Sequence, residues 1–175
     1  MMIRSTIALL VVMLPSVAFA QNPISDAIRD GWNGAKGNLT RATAAMPDAR
    51  FSFKPVDTVR TFGQIVAHVA GANYIFCAAA RGEKAPYSED HFEKTATTKA
   101  AIAKALADSI AYCDPAYKSL DDRQAAEMVA APFGSGKSAR ASALIGNTGH
   151  LQEHYGNLVT YLRINGIVPP SSSGQ

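Results

Sequence analysis

Four stretches of this chain place apolar residues three or four positions apart, the spacing of one helical face, and little of the rest alternates like a strand. In the first stretch Ile24, Ile28, Trp32, Ala35, Leu39, Ala42 and Met46 share a face between Asn22-Pro23 and Pro47. Asp26 suits the dipole at its start. Gly31, Gly34 and Gly37 each cost about 1 kcal/mol relative to alanine, so packing must hold this helix. The second stretch opens on Thr61-Phe-Gly-Gln64, a capping box, carries Phe62, Ile65, Val66, Val69, Ala72 and Phe76, and stops at Gly82. The third has Thr98 as its cap and Ile102, Leu106, Ile110 and Cys113 as its stripe. Pro115 kinks or ends it, although Tyr117 and Leu120 allow a turn or two beyond, and 121–126 reads as a further short turn. The fourth runs from a Ser138 cap to Asn165, with Leu144, Ile145, Leu151, Leu158 and Leu162 toward the core and Gly166 as its stop. Residues 49–59 read as an extended loop pinned by Phe51 and Phe53, and residues 82–97 as a polar loop. The pattern predicts an all-α four-helix bundle, and its two long connections permit a crossover topology.

Composition narrows the class. A chain of 175 residues that is 47% apolar makes one domain with a real core. Two cysteines cannot build a disulfide scaffold, and a formal charge of +3 is too small for a nucleic-acid footprint. Residues 1–20 stand apart. Arg4, the apolar run Ile7–Leu14 and the small-residue pattern Ala18-Phe-Ala20 make a secretory signal peptide cleaved after Ala20. The run is too short for a membrane anchor and Pro15 breaks it, so no stable anchor is expected after cleavage. The expected product is a periplasmic or secreted chain with one domain over 21–170 and a flexible tail over 171–175.

His150 and His154 stand four apart on the last predicted helix, which stacks both imidazoles on one face as a helix offers two nitrogens to one metal. HxxxH alone is a weak signal. His68 adds to it, because a histidine among Ile65, Val66, Val69 and Ala72 needs a hydrogen-bond partner or a metal. If the second and last helices are neighbours, His68 completes a three-imidazole set with open coordination positions, the form of catalytic rather than structural sites. His150-Leu-Gln-Glu-His154 also fits the HxxEH pattern of inverted zinc peptidases, with Glu153 as general base, but those enzymes need a larger domain and a distal acidic ligand. Tyr161 shares the face of His154 and is a candidate to hydrogen-bond a metal-bound group. His91, among Glu89, Asp90 and Glu93, reads as a solvated surface residue. Ala131–Ser138 resembles a loosened phosphate-binding loop, yet lacks the strand and parallel sheet that such a loop requires. Cys77 and Cys113 leave a reactive thiol, a metal ligand and a structural disulfide open, and export favours the disulfide.

Two segments carry a family resemblance. Phe53-Lys-Pro55 followed by Arg60-Thr-Phe-Gly-Gln-Ile-Val-Ala-His68, and the ending from His150-Leu-Gln-Glu-His154 to Pro169-Pro170, resemble the DinB-like family over about residues 22–170. The resemblance implies a four-helix bundle in up-down-down-up order, with a divalent metal on His68, His150 and His154. Zinc is the default ion for three histidines, with nickel, iron or manganese as alternatives. The implied order would run the second and third helices parallel and let Cys77 meet Cys113. Some relatives are metal-dependent transferases that use low-molecular-weight thiols, and others are implicated in hydrolysis or isomerisation. Such thiols are scarce outside the cytoplasm, so export favours a hydrolase or another transferase acting on a small molecule. A non-catalytic metal- or ligand-binding bundle is the alternative and the HxxEH peptidase a weaker one. A homodimer is compatible with the chain.

Overall fold

The computed structural model describes residues 21–173, so the predicted signal peptide lies outside the described residues. Four long helices make the body: α1 (Pro23–Ala45), α2 (Phe62–Arg81), α4 (Lys99–Lys118) and α6 (Arg140–Ile164). Short helices α3 (His91–Thr95) and α5 (Asp122–Ala125) and a hairpin of β1 (Met128–Ala130) with β2 (Lys137–Ala139) fill the connections. α2 is the central element. Its Thr61/Gln64 capping box forms, Gly82 ends it in the left-handed region at φ 71°, and nearly every residue between is buried. It is the one helix among the described residues long and apolar enough to cross a membrane, and the bundle buries most of it.

Side-chain pairs fix the helix directions. Asn73 donates to Ser109 at 3.0 Å and Cys77 is disulfide-bonded to Cys113, so α2 and α4 run side by side in the same direction. His68 meets His150 while the Arg140 guanidinium donates to the Ala80 carbonyl, so α6 runs opposite to α2. Trp32 donates to Asp114 at 2.7 Å and Lys99 to the Ala44 carbonyl at 3.2 Å, so α1 runs opposite to α4. The apolar stripes read from the sequence meet in one core, centred on Trp32, Leu39, Phe62, Leu106, Leu144, Leu151 and Leu158. Asp122 of α5 accepts from the Ser25 amide at 2.8 Å and so caps α1 from across the chain.

Several expectations are settled or corrected. Of the two outcomes allowed at Pro115, α4 takes the continuation, running on to Lys118. Tyr117 beyond it is buried, stacked on Trp32 with ring centroids 4.4 Å apart, and this packing carries the helix through the proline. The loop expected over 82–97 contains α3. Ser138 does not cap the last helix; it lies in β2 opposite Val129, and α6 begins at Arg140. The glycine-rich segment is the hairpin turn, with Gly134 and Gly136 at positive φ, where a side chain would be strained. Residues 48–50 form a 3-10 turn in the connection read as extended. Ile145, assigned to the core, is 55% exposed. Ser171, placed in a flexible tail, accepts from the Tyr155 hydroxyl and donates its amide back to it, both at 2.9 Å.

Candidate metal centre

α2 brings His68 to the antiparallel α6, where His150 and His154 project one turn apart. His68 Nε2 lies 3.2 Å from His150 Nε2, and His154 Nε2 lies 3.1 Å from the same atom. One ligand nitrogen from each of the three rings falls within 4.8 Å of the other two. The tautomers follow from the surroundings. Glu93 on α3 faces His68 Nδ1 at 3.1 Å, and a carboxylate only accepts, so Nδ1 carries the proton and Nε2 turns a lone pair toward the cluster. His68 Nε2 therefore offers only a lone pair: a protonated His150 Nε2 can donate to one of its two nitrogen neighbours and leaves the other contact unbonded, whereas a bare His150 Nε2 accepts at most from His154 and sets its own lone pair against that of His68. A cation among the three nitrogens removes that repulsion. Imidazoles bound at about 2.0–2.1 Å stand roughly 3.3 Å apart at tetrahedral angles and roughly 2.9 Å at octahedral ones, which brackets the two observed separations. The donor set therefore fits a divalent ion.

The electrostatics keep His150 and His154 neutral, the ligating form. Burial first, then the neighbouring His154 and His68, holds His150 down to about 3. Burial and then His68 hold His154 down to about 4, against the partial pull of Glu153 and Glu93. Nδ1 of His150 and of His154 are buried without a protein partner among the described residues. Arg60, just before the α2 cap, pairs through Nε with the second oxygen of Glu93 at 3.0 Å and so steadies the carboxylate behind His68. Beside His154 opens a cleft of about 420 Å³ lined by Arg60, Ile65, Glu153, Asn157 and Tyr161.

The other sequence candidates fall as follows. Glu153 is exposed on α6 and borders the cleft. Tyr161 also lines the cleft, but its hydroxyl donates to the Arg60 carbonyl at 2.8 Å, which commits its proton to the backbone. His91 stays outside the cluster, half-buried, its ring stacked on Tyr87 at 4.6 Å. Cys77 and Cys113 are joined, with Cα atoms 5.3 Å apart. Glu93, Arg60 and Glu89 are the site residues that sequence reasoning missed. The one sequence signal for the two glutamates was the concentration of acidic residues around His91, and Arg60 stood in the Arg60–His68 segment without a role of its own.

The model of the DinB superfamily matches residues 33–158, and the chain belongs to that superfamily. No curated protein sequence matches it. A DinB-like protein from Bacillus cereus superposes with a TM-score of 0.70 at 14% identity, over 83% of this chain and 95% of that one. YfiT from Bacillus subtilis, described as a probable metal-dependent hydrolase with an unusual four-helix bundle topology, superposes at 0.63 with 17% identity, over 89% and 94%. A mycothiol-dependent maleylpyruvate isomerase superposes at 0.61 with 15% identity, over 77% of this chain and 60% of that protein. These likenesses establish the fold.

Proposed function

We propose that this is an exported metal-dependent hydrolase or transferase acting on a small molecule, with His68, His150 and His154 holding one divalent ion. The observation that carries the reading is the convergence of three Nε2 atoms, two of their separations 3.1 and 3.2 Å, with the Glu93 carboxylate fixing the His68 tautomer from behind. Bound there, a divalent ion supplies a Lewis acid that polarises a substrate oxygen and acidifies solvent. The chain's own part is to keep His150 and His154 neutral, to orient all three rings, and to present the Arg60–Tyr161 cleft to the substrate. The description of YfiT as a probable metal-dependent hydrolase supports this choice. Zinc is the first candidate ion, with nickel, iron and manganese next.

Export rests on the leader sequence, and the buried Cys77–Cys113 disulfide supports an oxidising compartment. That compartment favours water over a cytosolic thiol as the second substrate. The test is elemental analysis of protein purified without chelators. The expected result is about one ion per chain in wild type and loss of that ion in His68→Ala. Full retention in His68→Ala would leave His150 and His154 with Glu153 as the motif to reconsider, and metal-free wild type would end the reading. A hydrolase substrate screen on the loaded protein then separates an enzyme from a binding protein.

A further inference from the structure

The connection between α2 and α4 brings a second carboxylate, 40% exposed, beside one member of the cluster, His68. Glu89 Oε1 lies 3.6 Å from His68 Nε2, the nitrogen that faces His150. The backbone holds residue 89 there. Gly71 stands three residues after His68 on the same face of α2, and a Cβ built on it would fall 2.0 Å from the Glu89 carbonyl oxygen and 2.7 Å from its carbon. Only glycine permits so close an approach of the connection to the helix. A few residues on, Glu93 pins the same connection to His68 and Arg60. Glu93 is thus occupied behind the ring, whereas Glu89 is ion-paired with no lysine or arginine among the described residues and stands on the ligating side. Three neutral imidazoles bring no charge of their own, and a dication taken into a largely buried site needs an anionic partner.

Resting on the three-histidine reading above, we propose that Glu89 supplies a fourth protein ligand, a carboxylate, to the ion held by His68, His150 and His154. The ligand set is then three nitrogens and one oxygen, which leaves the remaining position or positions to solvent and substrate from the cleft side. Gly71 acts as a positioning residue, since it is the reason the carboxylate can reach.

Cobalt(II) alone is the probe, titrated into chelator-stripped full-length protein against a chromophoric competitor, with the visible absorption of the bound ion recorded. Wild type is expected to bind about one equivalent. Glu89→Gln and Glu89→Ala are each expected to weaken binding at least about tenfold, the lower end of what outer-shell partners alone produce. Both are also expected to alter the intensity of the cobalt bands, because a ligand atom has been exchanged or lost. Gly71→Ala, with Glu89 chemically intact, is expected to weaken binding in the same direction. Wild-type affinity and an unchanged spectrum in both Glu89 variants would overturn the assignment and leave the three-histidine site standing. Failure of wild type to bind cobalt would overturn both.

Discussion

The carboxylate of Glu93 accepts from His68 Nδ1 at 3.1 Å and from Arg60 Nε at 3.0 Å, and its side chain is only 15% exposed. By accepting the Nδ1 proton it locks Nε2 toward the cluster. Glu93→Gln keeps an acceptor oxygen but loses the negative charge and the ion pair. The expected outcome is a fall of about 10–100-fold in divalent-metal affinity. Stability of the metal-free protein should change by less than about 1 kcal/mol, because Arg60 is half-exposed and such pairs are weak. Metal titration alongside urea melts of the same samples checks both, and equal metal affinity in the variant would sink the assigned role. At this scale the histidines were legible and the carboxylates were not. His150 and His154 announce themselves by a spacing of four, and His68 by lying in an apolar stripe. Glu89 and Glu93 sit between Gly82 and Thr97, where no apolar period says which way a side chain faces. Tyr161 was placed on the correct face, yet the destination of its proton depends on a carbonyl 101 residues away in sequence.

Between elements, the tightest tie is the Cys77–Cys113 disulfide, which joins the later halves of the parallel helices α2 and α4 across 36 residues of chain. It is buried with Asn147, whose amide donates to the Tyr117 hydroxyl at 3.2 Å and lies 3.6 and 3.8 Å from the two sulfurs. Loop-closure entropy for a loop of that length gives about 4 kcal/mol, within the range of about 2–5 kcal/mol seen when a native disulfide is removed. The Cys77→Ala, Cys113→Ala double variant is therefore expected to lower unfolding free energy by about that much in urea, and a loss below about 1 kcal/mol would show that the tie contributes little. The same variant should still bind metal, since the tie lies more than two turns along α2 from His68. The four long helices were legible from period and caps, including the Thr61 box and the Thr98 cap. What failed or stayed open were boundaries decided by distant partners. Pairing of 128–130 with 137–139 takes Ser138 out of the last helix, and Trp32 stacking on Tyr117 decides between the stop and the continuation that the sequence left open at Pro115. Neither partner can be seen from the local sequence.

Across the whole molecule, folding and the three-histidine cluster are coupled through protons. In the folded chain burial, then neighbouring imidazoles, hold His150 at about 3 and His154 at about 4, against an ordinary value of 6.5 for an unfolded histidine. Above about pH 6.5 both rings are neutral in either state and contribute no pH dependence. As pH falls from about 6.5 toward about 4, the unfolded chain takes up protons that the folded chain refuses, so unfolding becomes easier with each step down. Below the folded values both states are protonated and the dependence ends. Carboxylates add their own dependence at the acid end, so the decisive quantity is a difference between proteins. Urea midpoints of chelator-treated wild type are expected to drop between pH 7 and pH 4.5 more steeply than those of the His150→Gln, His154→Gln double variant, which has lost both titrating rings. A saturating divalent ion binds only the folded state and should raise the wild-type midpoint near neutral pH, with the gain shrinking in acid as protons compete for the ligands. Parallel midpoints for the two proteins across that range would mean that the buried imidazoles do not titrate as their surroundings require. The cluster would then be more open to water than its packing between α2 and α6 implies.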